Sequence, residues 1–463
     1  MKTNPPRRGS TLRFAAGIIA AVLLITGLTL ACITANLKAE IEARRDRLHR
    51  AGIPMTLAEM APPAIPDNEN AAPLYQQAID LIDARGVGHV SNMLMVKRFV
   101  DRGLPGRRAQ LRAQVTPIIA RSQLALDLLR EGARRPHCRL PLEWTADPFD
   151  FTVGKPWQVR NGAYLLLARA IIRKERGDTA DAVADTRACL RISSHLAEQP
   201  LTPAARMSAE VRSSTLGVLQ ELIENQYPDA AACRALFDGL AERRYQALFR
   251  RALFGDNVVA MWYFDTAQHD PARMRRALKI NRADMRALTA CYLSPLGSLV
   301  QLREEVSYLD RFERALALYK LPYRAAARGH EKLVQELARA PKYEQISKLW
   351  APIDFGPEMP MRRDSVLARQ GAIQVALALK AYQRRYGTYP RALDALRRYP
   401  GWDLPEDPFG GKPFGYRREG KGFMLYSWGP DLKDEGGYPG QYPAWAYFST
   451  PPPSGDIVWH YRR

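Results

Sequence analysis

The chain has 463 residues, 46% of them hydrophobic and 25% charged, with a formal charge of +20. That balance is too apolar for a disordered protein, supports a sizeable core without disulfides or a structural metal, and by length suggests about three domains. A nucleic-acid binder would gather such charge in one patch. Here it is spread, and even the densest stretch, residues 101–140 with nine arginines against Asp101, Asp127 and Glu131, reads as solvated helix face or as contact with an anionic envelope surface.

The first element is apolar. Residues 14–35 form a run of 22 without a charge, about 33 Å long as a helix and enough for a hydrocarbon layer of ~30 Å. Lys2, Arg7, Arg8 and Arg13 precede it, and the first acidic residue is Glu40. The pattern predicts a short cytoplasmic N-terminus (1–13), an anchor over 14–37 and a body outside. A signal peptide cut after Ala35 and a lipoprotein with its lipid on Cys32 are the competing readings. No later segment reaches the ~18 apolar residues of a second span. The expected location is therefore the bacterial inner membrane, single-pass, with the body on the periplasmic side.

Residues 38–350 read as an α-helical domain or two. Residues 37–50 continue as a charged helix, and 61–67 (Ala-Pro-Pro-Ala-Ile-Pro-Asp) form a stiff connector. A helix opens near Asn70, with Leu74, Tyr75, Ala78, Ile79 and Ile82 as its apolar stripe. Thr116-Pro117 predicts an N-cap and first residue for a helix over 116–131. Helices over 157–176 and 180–196 flank Gly177-Asp178 as one irregular hairpin, with no copy 34 residues away to make a repeat array. Further helical patterns cover 203–226, 228–255, 271–291, 297–318 and 322–339, separated by prolines. Residues 351–361 look like a linker.

The common catalytic constellations are incomplete. His330-Glu331 lacks a second histidine at Val334, Gly411-Lys412 lacks the other residues of a phosphate loop, and no G-x-S-x-G occurs. The five cysteines, at 32, 138, 189, 233 and 291, form no C-x-x-C, which disfavours zinc and dithiol chemistry. His137-Cys138 are adjacent, but no third group orients them as a nucleophile pair. No catalytic residue or organic cofactor is named.

From residue 362 the pattern changes. A helix over 362–386 ends at Tyr386-Gly387-Thr388-Tyr389-Pro390, where Gly387 stops it in a left-handed conformation. A short helix with Leu393 and Leu396 follows, then a turn-rich loop with Asp407-Pro408 and Gly411. Residues 413–417 and 422–427 are strand-like, joined by a hairpin connection. Ser427-Trp428-Gly429-Pro430-Asp431, Gly436-Gly437 and a closing Asp456-Ile457 complete the order. This string, over 362–463, resembles the periplasmic domain of type II secretion major pseudopilins. The whole chain, with Leu57-Ala58-Glu59 and Pro66-Asp67-Asn68-Glu69-Asn70-Ala71-Ala72 ahead of the helices, resembles a group of uncharacterised membrane-anchored bacterial envelope proteins.

The resemblance implies a small α+β domain with an antiparallel sheet. It also implies calcium in the loop, with Asp431, Asp434 and Asp456 as oxygen ligands; the other reading has these aspartates capping turns. A filament subunit carries its hydrophobic helix directly into the globular domain, whereas here the two are over 300 residues apart. The expected fold is mainly α: one transmembrane helix, an irregular helical-bundle or hairpin body and the pilin-like domain. The expected function is a non-enzymatic, membrane-anchored envelope scaffold whose C-terminal domain binds an envelope protein partner or stabilises the body. The alternatives are a secretion-system component and an envelope hydrolase with its site among the helices.

Overall fold

The computed structural model describes residues 8–61, 64–101, 105–140, 154–225, 230–240, 244–270, 296–341, 344, 347, 356–397, 402–439 and 454–461. Of the sequence-predicted elements, the 271–291 helix lies outside these residues.

The uncharged run forms part of a single helix, α1 (Arg8–Arg50), of 43 residues, about 64 Å at 1.5 Å per residue. Its most apolar stretch is wholly exposed, long and apolar enough to cross a membrane. From Leu30 onward one face is covered: Leu30, Ile33, Thr34 and Leu37 are half-buried, and Ile41 and Leu48 are buried. The helix therefore enters the body instead of ending in a free stalk.

After the one-turn helix α2 (Leu57–Met60) come α3 (Ala72–Ala84), α4 (Val90–Val100), α5 (Pro105–Arg121) and α6 (Gln123–Gly132). Pro117 sits inside α5 and not at a helix start. The Thr116 hydroxyl donates to the Arg112 carbonyl at 2.8 Å, and the break falls at Ser122 instead. Pro117 has no N–H to donate back into the helix, and α5 nevertheless runs on past it because Val115, Ile118 and Ile119 are held in the core. The predicted hairpin is present as α7 (Gly154–Arg176) and α8 (Thr179–Ala197). Buried Arg169 and Asp185 join its arms with two bonds of 2.9 Å, and Arg173 adds a third to Asp185 at 2.7 Å.

The chain continues through α9 (Thr202–Asn225), α10 (Ala230–Leu240), α11 (Arg244–His269), α12 (Gly297–Tyr319) and α13 (Tyr323–Arg339). Helix α9 is apolar on two faces. Met207, Val211, Val218 and Leu222 pack into a first core with α3–α8. Ala205, Ala209, Leu216, Leu219 and Ile223 pack into a second with α1 and α10–α13. A helix that is hydrophobic all round is an interior element, and α9 is the wall between the two cores.

The second core closes around α14 (Glu358–Tyr386), which begins with Pro357 as N-cap and takes in residues 358–361. Twenty of its 29 residues are buried, whereas a helix lying on a surface buries one stripe. Its second turn ties α12 to α13. Arg363 donates to the Tyr319 and Leu321 carbonyls, and Asp364 accepts from the Tyr323 amide at 2.7 Å. That amide is one of the unpaired donors at the start of α13. Further along, Arg212 of α9, itself buried, donates to Gln370 Oε1 at 3.0 and 2.8 Å, and Gln370 Nε2 donates to the Leu240 carbonyl at 2.6 Å. Gly387, at φ 75°, ends the helix as expected.

The C-terminal region adds the one-turn helix α15 (Asp394–Arg397) and a three-stranded antiparallel sheet in the order β1 (Gly415–Glu419), β2 (Gly422–Ser427), β3 (Ile457–Tyr461). Phe423, Leu425, Trp459 and Phe414 belong to the same core as α14. Gly371 marks the closest approach, since a Cβ there would stand 2.9 Å from the Phe414 ring.

The orientation of the body follows from four contacts. Asn257 of α11 touches Met55, beyond the end of α1, and Asp265 pairs with Arg45 at 2.9 Å. Helix α11 thus runs back toward the apolar end of α1. Near its end the Ala267 carbonyl accepts from Gln301, and Gln268 reaches Glu305. Helix α12 therefore starts at that same end and runs alongside α1 in the same direction. Arg45 also meets buried Glu305 at 2.5 Å, and Arg44 and Arg47 meet Glu313 at 2.8 and 3.2 Å.

Candidate functional site

Strands β2 and β3 pair with Ser427 opposite Ile457. The residues leaving β2 and those entering β3 are thereby brought side by side. Asp407 fastens this end of the sheet. Buried, it accepts from the amides of Phe409, Gly410 and Trp428 and from the Ser427 hydroxyl at 2.6 Å. Its four donors make it a structural staple between the Asp-Pro loop and the loop after β2.

That second loop turns through Gly429, Leu432, Gly436 and Gly437, all at positive φ. At Gly429 a Cβ would stand 2.8 Å from the Gly455 carbonyl oxygen, so the crossing of the two segments needs glycine. The structure brings the three sequence-predicted aspartates into this neighbourhood and gives each a backbone amide. Asp431 accepts from Lys433 and, at 2.8 Å, from Gly455. Asp434 accepts from Gly436 at 2.9 Å, and Asp456 from Gly437 at 2.6 Å. In this respect they are turn caps.

Two oxygens are not accounted for. Asp456 is fully buried, and its Oδ1 has no hydrogen-bond partner; neither has the buried Oε2 of Glu435. Burial pushes the Asp456 carboxyl up to about 6, with the Glu435 and Asp434 carboxylates adding to the rise against the Gly437 and Glu435 amides. Burial and the neighbouring Asp431 charge also push Glu435 up. Orphaned buried carboxylate oxygens are costly unless something positive or protonated meets them. The donor set, all hard oxygen, fits calcium chemistry. The geometry stops short of a preformed cage: among the described residues no three His, Cys, Asp or Glu side chains converge to hold a metal ion.

Glu435 was not among the predicted ligands. The signal was present in its position between Asp434 and Gly436.

Burial pushes the Cys138 thiol well up, the opposite of an activated nucleophile. The backbone of His137 bonds Ala71 and Glu69. His195 is buried between Tyr75 Oη at 2.8 Å and the Arg135 carbonyl at 3.1 Å, and burial pushes its pKa down to about 3. It is neutral at any physiological pH, accepting from the tyrosine through Nδ1 and donating through Nε2. His330 is buried edge-on to Tyr319, while Glu331 is exposed.

Comparison with protein-family models, with curated proteins and with solved structures found no match to this chain.

Proposed function

We propose that this chain is an envelope scaffold, held in the bacterial inner membrane by α1 with its body on the periplasmic side. Its pseudopilin-like C-terminal region completes the body and offers the acidic loop to calcium and to an envelope protein partner. The observation that carries this reading is the burial of α14. In a filament subunit the corresponding helix serves assembly. Here it is enclosed by α9, α10 and the sheet within one core, and its second turn supplies the cap of α13. A helix in that position stabilises its own chain. The basic residues before residue 14 favour the proposed orientation. The unpaired oxygens of Asp456 and Glu435 favour a cation in the loop; Asp431, Asp434 and Asp456 would hold it with Glu435, and it would stiffen the β2–β3 connection.

Limited proteolysis of the full chain in detergent, with calcium and with chelator, tests both parts. The expected result is one resistant core containing α9 together with the sheet. Calcium should slow cleavage in the loop, and Asp456→Asn should abolish that protection. Early release of residues 362–463 as a separate piece would refute the scaffold reading. Equal cleavage at millimolar calcium would remove the cation from it.

A further inference from the structure

We infer that the end of the body formed by the finish of α11 and the start of α12 is seated in the interfacial layer of the membrane that α1 spans. The inference rests on the anchor reading above and concerns where the body then lies.

The argument is one of lengths. The fully exposed part of the uncharged run is residues 14–29, about 24 Å of helix, against a hydrocarbon layer of ~30 Å. The shortfall of ~6 Å is four residues at 1.5 Å each, so a full span reaches into residues 30–33. On that stretch Leu30 and Ile33 already have one side covered by the body. The covering part of the body must then lie level with the membrane boundary.

The position of α12 agrees. Arg45 pairs with Glu305, and Arg44 and Arg47 pair with Glu313. Gly297 lies eight residues before Glu305 and sixteen before Glu313, about 12–24 Å nearer the membrane at 1.5 Å per residue, which spans the levels of Leu28 to Leu37. Beside it Leu296 projects with 52% of its surface exposed, and Leu299 and Val300 are half-buried. An apolar side chain at this depth meets the upper acyl chains and the glycerol region of the bilayer. Lys38, exposed on α1 one residue beyond Leu37, suits the headgroup layer.

The test uses the full chain in vesicles of phosphatidylethanolamine and phosphatidylglycerol. Cys32 and Cys291 are replaced by serine; Cys138, Cys189 and Cys233 are buried. Leu296→Cys and, separately, Leu321→Cys carry an environment-sensitive fluorophore. Leu321 is an exposed leucine just past the opposite end of α12. Seating predicts blue-shifted emission at 296, quenched by a lipid nitroxide placed just below the headgroups and shielded from iodide, with the reverse at 321. Equal iodide quenching at both sites overturns the inference. So does a 296 probe shielded from iodide and from the lipid nitroxide alike, which would mean that a second copy or another protein covers this end. Flotation of the same vesicles after an alkaline wash reports on the anchor separately. Protein that does not float refutes the span; protein that floats with a water-exposed 296 probe refutes only the seating.

Discussion

Gln370→Leu tests whether the C-terminal helix is integral to the body. The substitution nearly conserves volume and removes three hydrogen bonds. Two come from the buried Arg212 guanidinium, and the third runs to the Leu240 carbonyl. Bonds to a charged donor contribute about 1.5–3 kcal/mol each, and a buried carbonyl left without its donor costs about 1–3 kcal/mol. The terms are not additive, since Arg212 keeps its bond to Ser193, so the expected loss is about 3–5 kcal/mol. The assay is denaturant unfolding in detergent, followed by helix circular dichroism and by tryptophan fluorescence. Trp402 and Trp459 pack in the shared core. Both signals should move together to lower denaturant. The double variant Arg212→Leu with Gln370→Leu should recover much of the loss, because removing both partners leaves no buried charge unpaired. A change below about 1 kcal/mol would refute the reasoning, and so would a fluorescence transition that shifts while the helix signal stays.

Two further outcomes are expected. Glu221 is buried, which opposes its charge, but Arg108 and Lys174 more than offset this and hold its carboxyl below the usual range. A lowered carboxylate stabilises above its unfolded pKa and loses that contribution as pH falls through the folded value. Glu221→Gln should therefore melt below the parent at pH 7, and the gap should close below about pH 4.5 in a series of thermal melts. Arg45→Ala leaves Glu305, whose carboxyl burial already pushes up, without its nearest cation; the loss should be about 2–4 kcal/mol and be partly restored by Glu305→Gln, as read from melting in detergent.

Much of the helical body was legible because its stripes are local. The apolar positions of α3, α7, α8, α12 and α13 repeat within each helix and need no partner to be seen. The short helix α4 was missed; its buried Met93, Val96, Phe99 and Val100 sit among polar residues and its start has no side-chain cap. The lower part of α1 reads in the sequence only as a charged helix. Its arginines have carboxylate partners 220 to 269 positions away, and such pairing leaves no trace in a local window. The same holds for Arg212 and Gln370, 158 positions apart. In the acidic loop the aspartates were legible as a group. Their division into satisfied caps and unpaired oxygens depends on the Gly429–Gly455 crossing, which only the folded chain defines.

The two-faced wall α9 also governs the order of biosynthesis. Its first face finds partners in helices that precede it in the chain. Its second face waits largely for α10–α14, the last of which ends 161 residues after α9. At ~5–20 residues per second that is roughly 8–30 s during which a nascent chain carries an uncovered apolar helix. A chain that emerges beside a bilayer, tethered by its own first helix, must keep that face from the lipid for the whole interval. A holdase would act on the chain in this window.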